Sequence, residues 1–239
     1  SQRFAQVTNP PLDSIRESDG MTLRVALGSK SEIKNNKFPQ LVINSPILNF
    51  TDFRKIKFQK YTPVKEFEIL YEPDHKNTIE NEKILKNRID IICNEVCDFA
   101  NKNGGIVILS DINVSKKQAA IPLVLMVSAV NQSLIQNGVR LNVSIIIDSG
   151  QICSSHHIAC TLGFGASAIY PLSVDLRISE MFSKEKEKSY IKFVKASEKS
   201  LLKIMGKVGL CTVESYSGGE FFEPNYLDTS DETLNKYLS

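Results

Sequence analysis

Three carboxylates in this 239-residue chain stand at or just beyond apolar runs, where strands would end. Asp111 follows the aliphatic run Ile106–Leu109 and Ser110, Asp148 follows Val139–Ile147, and Glu220 closes the segment Ser215-Tyr216-Ser217-Gly218-Gly219-Glu220 after Leu210–Val213. In a parallel α/β sheet, ligands bind beyond the carboxyl ends of the strands, so position alone makes these groups candidates for acid–base work. Ser215 joins them as a polar strand-end candidate. The Gly218-Gly219 turn could offer backbone N–H groups to a phosphate, although no P-loop Lys-Ser/Thr follows and no GxGxxG spacing exists. Polar caps and turns also sit at strand ends in every such fold. That plainer reading of Asp111, Asp148, Ser215 and Glu220 stays open beside the chemical one.

His156-His157 is the other conspicuous pair. Neighbours on a helix point about 100° apart, so the two rings do not readily share a metal, and His75 is the only further histidine. A Ser-His-Asp triad could be drawn from Ser154 or Ser155, His157 and Asp148, but no GxSxG nucleophile elbow supports it. One histidine is read instead as a core or strand-end hydrogen-bonding residue. The five cysteines are Cys93, Cys97, Cys153, Cys160 and Cys211, an odd and scattered set that argues against a disulfide framework. Cys93 and Cys97 share a helical face and could present two thiolates. No second pair or nearby histidine completes four ligands, so buried, reduced thiols are the preferred reading. No residue is assigned a catalytic or metal-ligating role.

These groups need elements to hold them, and the apolar periodicity supplies a series. Lys65–Tyr71 reads as a strand. Thr78 is read as the cap of a helix running to about Asn101, with Ile89, Ile92, Val96 and Phe99 on one side. Gly104-Gly105 breaks it, and Ile106–Leu109 has the continuous aliphatic character of a strand covered on both faces. Residues 118–137 read as a helix closed by Asn137-Gly138, and Val139–Ile147 as a strand. His156–Gly163 reads as a short helix, Ala166–Tyr170 as a strand, Leu172–Phe182 and Tyr190–Val208 as helices, and Leu210–Val213 as a fifth strand. Strands alternating with helices make a mostly parallel α/β sheet of repeated βα units. Eight units would close a barrel, and about five are visible, so an incomplete, rudimentary TIM-barrel-like sheet is expected. Residues 1–65 are irregular, with Pro10, Pro11, Pro46 and Pro63 interrupting them and Thr51 as a cap for a brief helix. The expected organisation is this N-terminal segment packed on a core at 66–227, with a tail at 228–239. The Lys and Glu run at 184–188 reads as a solvated loop or helix start.

Composition excludes several classes. The chain has 29 basic and 27 acidic residues, a balance that argues against a nucleic-acid partner. No apolar run approaches the roughly 20 residues that span a bilayer, and the N-terminus lacks a signal-peptide layout, which makes the cytoplasm the default location. The absence of an initial Met suggests a piece of a longer protein.

Four segments, in order, carry a resemblance: RFAQVTNPPLDSIRE at 3–17, ILSDINVSKKQAAIPLVLMVSAVNQSLIQNGVR at 108–140, IIIDSGQICSSHHIACTLGFGASAIYP at 145–171 and YIKFVKASEKSLLKIMGKVGLCTVESYSGGEFFE at 190–223. Together they resemble the central domain of the glutamate synthase large subunit over most of residues 1–227, most weakly at about 17–100. Three departures stand out. The family's arginine after LSD is Ile112 here, its glutamate before SG is Asp148, and its SYRGAQ is SYSGGE at 215–220.

The resemblance implies a connecting domain, without a complete active site or bound cofactor, between a glutamine amidotransferase domain and a domain carrying FMN and an iron–sulfur cluster. It implies that the parent makes two glutamates from glutamine and 2-oxoglutarate, with electrons from an NAD(P)H-oxidising small subunit or ferredoxin. Ammonia protonates in water and the cation is no nucleophile, so a dry, walled path between the domains preserves the reactive form. Thr8 and Asn9, with Gln6 behind them, are the expected tunnel-side residues. Their plainer role is the turn into Pro10-Pro11. The competing expectation is a free-standing barrel-like enzyme that binds a phosphorylated ligand or flavin at its strand ends.

Overall fold

The computed structural model describes residues 20–31, 39–74, 76–219, 228 and 230–238. Gln6, Thr8, Asn9, His75 and Glu220 therefore lie outside the described residues. In chain order, β1 (Val25–Leu27) and β2 (Leu41–Ile43) form an antiparallel pair, followed by α1 (Phe50–Phe58). Then come β3 (Val64–Glu68), β4 (Leu70–Tyr71), α2 (Thr78–Lys102), β5 (Gly105–Ser110), β6 (Ala119–Ala120) and α3 (Leu123–Gln136). The remainder is β7 (Val143–Ser149), α4 (Ser155–Gly163), β8 (Ala168–Pro171), α5 (Leu172–Met181), α6 (Lys186–Val208), α7 (Val213–Tyr216) and α8 (Glu232–Leu238).

Strands β3, β5, β7 and β8 lie side by side in sequence order, all parallel. Four such strands are half of a closed eight-stranded barrel, so the sheet is an incomplete barrel wall. Right-handed crossovers between consecutive neighbours put their helices on one face. There α2 packs on α3, α3 on α4 and α4 on α6. Every residue of β5 and β7 is buried, which is why both read as unbroken aliphatic runs. Phe67 of β3 meets Phe99 of α2 edge-on, with ring centroids 6.4 Å apart.

The opposite face is covered by α1. Phe53 stacks on Tyr170 of β8 at 4.9 Å, and Lys57 reaches Glu66 of β3 at 2.6 Å. Met21, Leu27, Leu48 and Phe53 share one contiguous apolar core with Ile108 and Ile146 of the sheet. The free edge of β8 is lined by Pro46–Leu48: Leu48 N–H donates to Ile169 O at 2.8 Å and Ile169 N–H to Pro46 O at 2.7 Å. That pairing satisfies edge groups that would otherwise be open to another chain. Helix α8 docks on α2 and α3, where Lys236 meets Asp90 at 3.1 Å and Ser128 donates to Tyr237 O. No helix among the described residues is long and apolar enough to cross a membrane.

Several boundaries differ from the sequence-based expectation, each for a local reason. The fifth strand is absent: only Thr22 and Thr212 make a bridge, and Val213–Tyr216 is helical. Thr212 Oγ1 accepts from Ser215 N–H at 3.1 Å, so a side-chain cap has won over strand pairing. Asn49 rather than Thr51 caps α1, accepting from Asp52 N–H at 2.8 Å. Asn77 rather than Thr78 caps α2, accepting from Glu80 N–H at 3.2 Å. Helix α3 starts only after Pro122, because Ala119–Ala120 pairs antiparallel with β4. A single 3-10 turn at Arg140–Asn142 delays the next strand to Val143.

Candidate functional site

The register of the sheet sorts the strand-end polar groups into two rows. Ser110 pairs with Glu68 and with Asp148, which in turn pairs with Tyr170. This row faces α1. One residue further, Asp111 and Ser149 meet on the helix side. Successive residues of a strand point to opposite faces, so Asp111 and Asp148 project from opposite sides of the sheet.

Asp111 is buried and held by three donors. Ser149 Oγ donates to its Oδ2 at 2.6 Å, Gln151 Nε2 to the same oxygen at 3.0 Å, and Gly150 N–H to Oδ1 at 2.8 Å. Gln151 also donates to Ile121 O and accepts the N–H of Leu123, both at 3.0 Å. The carboxylate thus pins the turn after β7 and, through Gln151, the first turn of α3. All three donors belong to the framework, so this carboxylate serves the fold.

Asp148 is buried and only half satisfied. Ser110 Oγ donates to Oδ2 at 3.0 Å, while Oδ1 has no partner among the described residues. Burial pushes its pKa from 3.8 up to about 6, the Ser110 hydrogen bond opposing and Glu66 reinforcing the rise. Its neighbour Tyr170 donates to Asp175 Oδ2 at 2.9 Å, which Lys186 approaches at 3.2 Å. Burial and the Asp175 carboxylate push the Tyr170 phenol up. Phe53 lies over Tyr170, and this polar row is shut beneath α1.

The other candidates do not join these rows. Ser215 sits in α7, where Thr212 Oγ1 donates to its hydroxyl at 2.7 Å. Gly218 N–H donates to Leu162 O at 3.1 Å and Gly219 N–H to Tyr216 O at 3.2 Å, so this turn has spent the donors a phosphate would need. His156 and His157 are exposed on α4, not core residues. His157 Nδ1 accepts from Cys153 N–H at 3.2 Å, and His156 Nε2 lies 3.5 Å from Cys160 Sγ. Cys93 and Cys97 are buried on α2, and burial pushes the Cys93 thiol up to about 11.

Sequence reasoning missed Gln151, the Lys57–Glu66 clamp and the Tyr170–Asp175–Lys186 chain. Each depends on a contact between elements that no local spacing encodes. The described residues do not fit a flavin phosphate or an iron–sulfur cluster. The strand-end donors are committed internally, and among the described residues no group of three or more His, Cys, Asp or Glu side chains is placed to hold a metal.

Fold and site together define an α/β domain built on four parallel strands: an incomplete barrel wall whose strand-end groups are tied to its own framework. Residues 1–226 match the family described as glutamate synthase central domain, and the chain belongs to that family. It is 36% identical over 243 residues to ferredoxin-dependent glutamate synthase of Cyanidium caldarium, covering 93% of this chain and 15% of the relative. It is 30% identical over 255 residues to the glutamate synthase [NADPH] large chain of Bacillus subtilis, covering 100% of this chain and 16% of the relative. The chain thus spans 15–16% of the length of these curated relatives. Among solved structures, a doubly substituted flavocytochrome b2 with sulfite bound aligns with a TM-score of 0.47 at 12% identity, over 80% of this chain and 44% of that one.

Proposed function

We propose that this chain is the central segment of a glutamate synthase large subunit. In that role it joins a glutamine amidotransferase domain to an FMN synthase domain and helps wall the path of ammonia between them. The parent reaction converts glutamine and 2-oxoglutarate to two glutamates. FMN and an iron–sulfur cluster sit outside this segment, and electrons come from an NAD(P)H-oxidising subunit or from ferredoxin. The cytoplasm is the proposed location. The observation that carries this reading is the family match along residues 1–226.

Two structural features support it. The strand-end carboxylates are shut into the framework, which suits a scaffold better than a free-standing enzyme. Large apolar side chains also stand exposed in groups. Phe50 and Phe58 flank Arg54 on the outer side of α1, with Tyr61 beyond, and Leu176, Met181 and Phe182 are exposed on and just after α5. Grouped exposed apolar residues of this kind mark docking surfaces. Gln6, Thr8 and Asn9 remain the proposed tunnel-side residues. No observation favours a phosphorylated ligand or flavin at the strand ends.

The test uses the polypeptide that carries this segment, supplied with amide-15N glutamine, 2-oxoglutarate, reductant and excess unlabelled ammonium. A walled path predicts that the new glutamate keeps the 15N label. Dilution of label to the level of the medium, or no glutamate at all, overturns the proposal.

A further inference from the structure

At the opposite, amino-terminal end of the strands lies a cavity of about 200 Å³. It opens where Val143 begins β7, between β1 and α7. Its base is Asn131 and Arg140. All three guanidinium nitrogens donate to neutral acceptors: Nε to Asn131 Oδ1 at 2.6 Å, and the other two to Val143 O and Gly165 O, each at 2.9 Å. A guanidinium carries five N–H donors, so two are left over. No carboxylate among the described residues pairs with it.

Asn131 fixes the polarity of the base. Arg140 Nε can only donate, so the carboxamide atom facing it is the oxygen and the NH₂ points away. Asn131 is 6% exposed; no acceptor for its NH₂ stands among the described residues, and the group is not sealed from solvent. Both ends of the carboxamide lie near Gly218, Nδ2 at 3.7 Å and Oδ1 at 3.8 Å from where a Cβ on Gly218 would stand. Gly165 and Gly218, both at positive φ, allow the backbone to close around the Asn131–Arg140 pair. At the rim stand Lys30 and Glu214, the one acid among the described lining residues. The acid is engaged: Oε1 accepts Ala26 N–H at 2.8 Å and Oε2 faces Lys30 at 3.4 Å. Among the described residues, Arg140 and Lys30 stand against this one engaged carboxylate, which leaves a donor-rich hollow with room for about six waters.

We propose that this cavity binds a small oxyanion, a carboxylate or a phosphate, which takes the free N–H groups of Asn131 and Arg140 at its base and Lys30 at its rim. A nucleotide is too large for the space. A small dicarboxylate or inorganic phosphate fits, and either supplies the charge that Arg140 lacks.

Thermal unfolding of the 239-residue chain tests this against inorganic phosphate and, separately, succinate, with ionic strength held constant by sodium chloride. At least one of the two should raise Tm along a saturating curve, by about 5 °C at a hundredfold excess over its dissociation constant. Which anion saturates assigns the chemistry. Lys30→Ala should weaken the apparent affinity about tenfold. Ser217→Asp places a carboxylate in the hollow and gives up the Ser217 hydroxyl's bond to Val213 O, so it should abolish the response while Tm without added anion falls by no more than about 4 °C. That variant keeps the Arg140 bonds to Val143 and Gly165 and does not depend on a folded Arg140 substitution. The proposal fails if neither anion gives more than the unsaturating rise that kosmotropic salts give every protein. It also fails if both substitutions leave the wild-type response intact.

Discussion

Replacing Asp148 by asparagine should make the protein more stable relative to wild type as pH rises. The wild-type carboxyl sits at 2% exposure with one hydrogen bond and an unpartnered oxygen, and its pKa is about 6 in the folded state against an ordinary 3.8. Because the folded value is the higher one, the native state holds an extra proton between the two. The stabilisation from that proton is full below about 3.8 and gone above about 6. At pH 4.5 the folded carboxyl is nearly all protonated and the unfolded one about one-sixth, which by linkage is worth about 2 kcal/mol. At pH 7.5 the contribution is essentially zero. The carboxamide of the variant cannot ionise and carries no such dependence. Its NH₂ lacks an acceptor at the site of Oδ1, a cost of about 1–3 kcal/mol that is the same at both pH values.

The diagnostic quantity is therefore the change in the stability difference with pH. Urea unfolding of both proteins at pH 4.5 and 7.5 should show Asp148→Asn gaining about 2 kcal/mol on wild type between the two, or about 4–8 °C in Tm. Other titrating groups, Glu66 included, are common to both proteins and largely cancel. A stability difference that stays constant across this range would refute the assignment of a raised pKa to Asp148. A shift in favour of wild type at the higher pH would show that the ionised carboxylate is stabilised in the fold.

Three further expectations follow from the packing. Gly165→Ala should cost at least about 2 kcal/mol, since φ is +124° and the new Cβ would stand 2.6 Å from the Asn131 side chain; a loss below about 0.5 kcal/mol in urea unfolding would contradict this geometry. Phe53→Ala should cost about 3 kcal/mol and Phe53→Leu about 1, with only the former loosening α1 as read by amide exchange over residues 50–58. Among the thiols, the exposed Cys153 and Cys211 should alkylate rapidly at pH 8 while Cys93, buried and pushed up to about 11, should label only on unfolding; mass mapping of the modified peptides checks the order.

The legible parts of this fold were those in which burial is complete. The aliphatic runs of β5 and β7 can hardly be anything but covered strands, and the periodic Ile89, Ile92, Val96 and Phe99 define one face of α2. Leu210–Val213 misled because apolar character does not separate a strand from the entry to a short helix. Thr212 and Ser215, three apart, were the capping signal that could have decided it. Asn49 and Asn77 show the same competition, with short polar side chains setting helix starts one or two positions before the threonines. The strand-end carboxylates were also legible as positions. Their separation was not. Asp148 pairs with Ser110 and not with Asp111, and this single-residue offset sends the two acids to opposite faces. Register of this kind is fixed by tertiary pairing and has no local signature.

That offset bears on what the domain does. Acid–base chemistry in a parallel α/β fold needs carboxylates that converge on one space open to substrate, with a capacity to take or give a proton. Asp111 has the position but has spent its oxygens on Ser149, Gly150 and Gln151, where it holds β7 and α3 in place. Asp148 has the raised pKa but lies under α1, with Phe53 stacked on the neighbouring Tyr170. One acid is accessible to framework donors only, and the other is held away from solvent. The end of the sheet where such folds place their chemistry is therefore closed on its own framework, which favours the proposed connecting role over an independent reaction. The amino-terminal end has the reverse character, because Asn131 and Arg140 there keep donors in reserve beside an open volume. A domain that closes one end and leaves spare donors at the other should respond to small anions without turning them over. Binding without turnover is the outcome that would separate it from a free-standing enzyme.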